Sequence, residues 1–110
     1  MSDGYDPNKS RVNEDTLHDF LSRELEESLL SVPGIGPASE HKLNSVAEPP
    51  VFTSYQLIGT FLSLRVEGMT SQEHLDSFWY YLKMIGITSS RSGIVHAISE
   101  KVYIMMPSLQ

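Results

Sequence analysis

Gly34-Ile35-Gly36-Pro37 is the stretch whose residue types and spacing can do chemistry. Two glycines around one apolar residue permit a sharp reversal. Pro37 suits the first position of a helix, where its missing N–H costs no hydrogen bond. Backbone N–H groups at such a helix start lack intrahelical acceptors, and the helix dipole adds partial positive charge. The corner is therefore suited to holding an anion such as phosphate. Leu29, Leu30 and Val32 close an apolar run before Pro33, and Leu43 returns one helical face later. The stretch reads as helix, four-residue hairpin and helix, with Ile35 plugging the space between the arms. The alternative is a hairpin that only packs or joins proteins.

A second candidate lies further on. Thr88-Ser89-Ser90-Arg91-Ser92 reads as a loop into the last helix, with Ser89 or Ser90 as its cap. Its N–H groups, with Arg91 beside them, offer another phosphate contact. His18, His41, His74 and His96 share no spacing that places two on one helical turn, and there is no cysteine. No metal site is therefore expected. No Ser/His/Asp arrangement, nucleotide-cradling glycine loop or pair of buried carboxylates can be read. The expectation is a binding protein, not an enzyme, with no cofactor.

The elements that position these groups follow from periodicity. Met1–Val12 has none and reads as a flexible acidic tail, 1–12. A single helical domain is expected over 13–107. Asn13 caps a first segment in which Leu17, Phe20, Leu21, Leu25 and Leu29 recur at helical spacing, as one helix or as two with a break near Ser22. A helix from Pro37 to Ser45 follows the hairpin, and Glu48-Pro49-Pro50 makes a stiff connection. Thr53 or Ser54 caps a run through Leu64 that is apolar on more than one face, and Gly59 in its middle predicts a close helix approach. Thr70-Ser71-Gln72-Glu73 is a capping box for a helix with Leu75, Phe78, Trp79 and Leu82 inside, ended by Gly86. Ile94, Val95, Ile98, Val102 and Met105 stripe the last helix, which Pro107 ends. The count is five helices and no strand: a compact all-α domain containing a helix-hairpin-helix motif.

Charge limits how such a domain meets a polyanion. The chain of 110 residues carries a net −6, against any broad electrostatic affinity for nucleic acid. The charge is uneven. Residues 1–30 hold eight acids and three bases, whereas 31–110 hold six and five. The hairpin half is nearly neutral, so a duplex would be held by a few aimed contacts. The acidic start has no apolar signal-peptide core, and no run approaches membrane-spanning length. An intracellular, soluble chain is expected, with no membrane insertion.

In order and spacing these residues resemble the barrier-to-autointegration factor family. His18-Asp19-Phe20-Leu21 is similar to its opening helix, Gly34-Ile35-Gly36 with Leu43 to its hairpin, and Ile58-Gly59-Thr60-Phe61-Leu62-Ser63-Leu64-Arg65 to its next helix. Phe78-Trp79 through Gly86 matches the one after. The resemblance covers about 14–105 and implies an all-helical, SAM-like fold. It implies a homodimer that bridges two double-stranded DNA molecules without reading sequence, in chromatin, nucleus and cytoplasm, with a nuclear-envelope or chromatin protein as partner. Carried over by position, the DNA contacts are Gly34, Ile35, Gly36 and Ala38, then Thr16 and Leu17, then Ser89, Ser90 and Arg91. Leu17 replaces the family's lysine before the histidine, and Ser90 and Gly93 replace a lysine and an arginine. Lys9 and Arg11 stand in for the lost charge only if the tail folds back. Fewer cations release fewer counterions and bind more weakly. The competing expectation is a protein-interaction module of the same fold that has lost most DNA contacts.

Overall fold

Asn13 starts the first helix as expected, its side-chain oxygen accepting from the N–H groups of Asp15 (2.8 Å) and Thr16 (3.3 Å). Glu14 and Asp15 in the first turn complement the helix dipole. In the computed structural model, which describes residues 4–109, this helix is α1, Glu14–Ser22. It is followed by α2 (Pro37–Ser45), α3 (Ser54–Ser63), α4 (Ser71–Met84) and α5 (Arg91–Met105). Single 3-10 turns occupy Pro7–Lys9, Leu29–Ser31 and Pro107–Leu109. The architecture is all-α with five helices and, among the described residues, no strand.

The caps are the ones the sequence encodes. Thr53 and Gln56 close a reciprocal box at the start of α3, and Thr70 and Glu73 do so at α4. Hydrogen bonds from the backbone and hydroxyl of Thr70 hold the Glu73 carboxyl below its ordinary pKa. Gly86, at φ +94°, ends α4 in a Schellman arrangement: its N–H meets Lys83 O at 3.0 Å and Ile87 N–H meets Leu82 O at 3.1 Å.

The helices close around α5. Ser92, Gly93, Ile94, Val95, Ala97, Ile98, Ser99, Lys101 and Val102 are all buried. A helix buried on most sides belongs at the centre of a domain, and α1 and α4 pack directly against it. Phe61 of α3 stacks on His74 (centroids 4.1 Å apart) and meets Phe78 edge-on (5.1 Å). His74 Nε2 lies 2.7 Å from the Phe61 carbonyl, which satisfies this buried imidazole.

One open alternative is decided and further expectations are corrected. The apolar run from Leu17 to Leu29 breaks at Ser22, where α1 stops, but residues 23–27 form no second helix. That segment is fastened elsewhere, since Ser54 N–H donates to Glu27 O at 2.8 Å and the Ser54 hydroxyl donates to Glu26 O. The first arm of the expected helix-hairpin-helix is therefore a single 3-10 turn, Leu29–Ser31. Lys101, only 4% exposed, secures the break. Its ammonium donates to the carbonyls of Phe20 (2.6 Å), Leu21 (3.5 Å) and Arg23, satisfying the open end of α1. Burial, with Arg23 nearby, pulls its pKa down.

Second, Gly59 marks no close approach within the chain. A Cβ there would meet nothing within 4 Å, and the outer face of α3 is open. Third, the segment expected to be a flexible tail is folded back where it is described. Tyr5 N–H donates to Asp76 Oδ1 at 2.9 Å, Gln72 Nε2 donates to Tyr5 O at 3.2 Å, and Ser10 Oγ lies 3.2 Å from His96 Nδ1. Residues 1–3 of that tail lie outside the described residues. The packed body thus includes this N-terminal strap and, at the other end, the Pro107–Leu109 turn against α5.

Candidate nucleic-acid interface

The hairpin begins as a type II turn. Val32 O accepts from Ile35 N–H at 3.1 Å, Pro33 fills the second position and Gly34, at φ +95°, the third. Ile35 is 6% exposed and its N–H is used inside the turn, so it plugs the core and offers no donor. That removes it from the expected DNA-contact residues. Gly36 then caps α2 in extended backbone (φ −105°, ψ −174°), with Pro37 following. The N–H groups of Gly34, Gly36, Ala38 and Ser39 have no acceptor among the described residues. Gly34 and Ala38 are exposed, and Gly36 and Ser39 are half-buried. These are four free donors at one corner, three of them opening α2, a chemistry suited to anionic oxygen.

The fold brings the other expected segments to this corner. Gly34 abuts the start of α5, where a Cβ on it would lie 3.0 Å from Ile94 Cγ1 and 3.5 Å from Ser90 O. A cavity of about 230 Å³ opens between Pro33 and Gly34 of the hairpin, Asn13 and Thr16 of α1, and Ser90 and Gly93 of α5. Its remaining wall is Arg11 and Val12 of the strap. Thr16 therefore belongs to the group, whereas Leu17 turns toward the core.

Ser89 and Ser90 are exposed at the loop before α5. Ser90 occupies the cap position, but in the left-handed region (φ 61°, ψ 18°) and with no side-chain cap bond. A non-glycine residue there is strained by about 1 kcal/mol or more. Ser90→Gly is expected to raise stability by roughly 0.5–1 kcal/mol, read as an increase of about 2–5 °C in melting temperature. Arg91 does not reach outward: its Nη1 donates to Ile87 O at 2.7 Å, and its guanidinium lies 4.5 Å from the Trp79 ring centre. Lys83 approaches the same ring at 5.5 Å. Beside this pair a second cavity of about 230 Å³ is lined by Lys9, Trp79, Thr88, Ser90, Arg91 and Ser92.

Lys9 and Arg11 were expected here only if the tail folds back, which it does, whereas Val12 and Asn13 were not expected in this surface. One signal for them stood in the sequence. Gly93 lies inside a helix, where glycine is unfavourable, and a Cβ there would fall 3.0 Å from Val12 Cγ2. The missing side chain makes room for the strap.

Two further surfaces flank α3. One cavity, about 500 Å³, lies by Pro49, Pro50, Gly59, Thr60 and Tyr81. The other, about 630 Å³, lies by Leu21, Leu25, Tyr55, Ile58, Ile104 and Met105. Phe52, Tyr55 and Ile104 are each more than half exposed. Among the described residues no three His, Asp or Glu gather as a metal site, and no helix is long and apolar enough to cross a membrane.

Fold and site define a class: an all-α five-helix domain with a donor-rich corner between the hairpin and the starts of α1 and α5. Comparison of the chain with protein-family models, with curated proteins and with solved structures returns no match.

Proposed function

We propose that this chain binds double-stranded DNA through its phosphates, without reading bases, and as a homodimer bridges two duplexes in the manner of the barrier-to-autointegration factor family it resembles. The observation that carries the reading is the set of unpartnered amides at the hairpin, one of which, at Gly34, lies in the wall of an open cavity shared with the starts of α1 and α5. Backbone donors suit a sequence-independent ligand, since phosphate contacts position a protein on DNA but carry no base information. They also tolerate the loss of basic side chains, and so fit a chain of net charge −6. The dimer is supported by the open outer face of α3, where Gly59 leaves a low point between two apolar cavities. Action on chromatin in nucleus and cytoplasm, alongside a nuclear-envelope or chromatin protein, belongs to the same reading.

A random-sequence duplex titrated by fluorescence anisotropy, with the mass measured by light scattering, tests it. The expected result is sequence-independent binding that weakens steeply with salt, by a particle of about twice the 12.4 kDa chain mass. The exposed Phe52, Tyr55 and Ile104 favour a second reading, a protein-interaction module of the same fold. No duplex binding at low salt would leave that reading standing alone.

A further inference from the structure

We infer that the N-terminal strap is itself part of the phosphate-binding surface, with Lys9 and Arg11 as its two exposed cations; this rests on the duplex-binding reading above. The strap is seated from three directions: Tyr5 on Asp76 of α4, Ser10 beside His96 of α5, and Val12 over Gly93. Seated so, it carries Arg11 to the wall of the hairpin cavity and Lys9 to the wall of the neighbouring Trp79 cavity. Ser90 lines both cavities, so the two cations flank one point of the surface.

Two other bases beside the Trp79 cavity are already engaged. Arg91 is tied to Ile87 O and Trp79, and Lys83 lies against the same ring. Elsewhere, Arg23 pairs with Asp19 and Glu26, and Lys101 is buried among carbonyls. Lys9 and Arg11 are exposed, and among the described residues their side chains make no hydrogen bond or ion pair. Long flexible cations beside fixed amide donors suit a duplex backbone, where phosphates recur at short intervals and each neutralised one releases counterions. The acids nearest in sequence offset this charge only in part. The Asp6 carboxylate accepts from Asn8 N–H within its own turn, and Glu14 and Asp15 face the dipole of α1. The strap therefore returns positive charge to a surface whose fixed loop carries little.

The test compares the salt dependence of duplex binding for the full chain, for the double variant Lys9→Ser/Arg11→Ser, and for Arg65→Ser. Arg65 lies near Tyr103, about 20 Å along α5 from Ser90 by helical rise. Two lost phosphate contacts should lower the slope of log affinity against log salt by about 1.8, and affinity at 0.1 M salt should fall on the order of tenfold. Arg65→Ser should leave the slope unchanged. Unchanged melting temperatures establish that both variants are folded. If the double variant keeps the parent slope, or Arg65→Ser costs as much per charge, the strap is not a phosphate ligand, while binding by the parent leaves the hairpin reading intact. If the parent itself binds no duplex at low salt, both fall together.

Discussion

Gly36→Asp is expected to make the protein more stable and a far poorer ligand for DNA. Gly36 caps α2 in extended backbone, and a Cβ at this position meets nothing within 4 Å. Aspartate fits that conformation, and its carboxylate accepts from the N–H of Ser39, a donor now without a partner. Replacing glycine at the cap contributes a few tenths of a kcal/mol, and the negative charge at the dipole up to about 1 kcal/mol. The same carboxylate occupies the amides proposed for phosphate and repels the next one. A hydrogen bond to a charged group contributes about 1.5–3 kcal/mol, so duplex affinity should fall about 10- to 150-fold at 0.1 M salt. Gly36→Ala adds bulk without charge and should bind within about threefold of the parent while losing roughly 0.5 kcal/mol of stability. Thermal melts and anisotropy titrations on the same samples read both effects. An aspartate variant that binds as well as the parent would place the phosphates elsewhere.

What the sequence made legible was local. The number of helices, the capping box of α4, the glycine stop of α4 and the turn before α2 all depend on residues within four positions of one another. Short-range hydrogen bonds of that kind leave a signature in residue type. The features that were not legible depend on pairs far apart in the chain. The run Leu17–Leu29 has helical spacing throughout, yet residues 23–27 leave the helix because Ser54 and Lys101, 28 and 81 positions away from their acceptors Glu26 and Phe20, take up the backbone carbonyls. The strap has no periodicity, so its sequence resembles disorder. It is fixed by single contacts spanning 71 and 86 residues. Gly59 shows the converse: a glycine in mid-helix predicts internal packing, yet the space it leaves faces outward. In the candidate site, the hairpin glycines, Ala38, Ser89, Ser90 and Thr16 could be named from types and resemblance. The facts that Ile35 has no free donor, that Arg91 is bound to its own loop, and that Arg11 completes the cavity required the fold.

The two hairpin glycines, two residues apart in a sharp corner, should respond in opposite ways, because Gly34 is held by backbone geometry and by a neighbour. At φ +95° it lies where a side chain costs about 1–2 kcal/mol. A Cβ would also come within 3.0 Å of Ile94 Cγ1 and 3.3 Å of Ile94 N, and the latter belongs to a helix backbone that cannot yield locally. Overpacking of this kind adds about 1–3 kcal/mol. Gly34→Ala is thus expected to lose roughly 3 kcal/mol, a large share of the 5–15 kcal/mol typical of a domain. Urea unfolding should show the midpoint falling while the slope with denaturant stays near the parent's, since the surface exposed on unfolding is unchanged. The hairpin must also swing away from α5 to relieve the contact, which separates its amides from Ser90 and opens the cavity. Duplex binding should therefore weaken together with stability, in contrast to Gly36→Asp, where the two move apart. A Gly34→Ala variant within 1 kcal/mol of the parent would mean that the hairpin does not wedge against α5, and that the convergence of the three segments is looser than the contact at Ile94 requires.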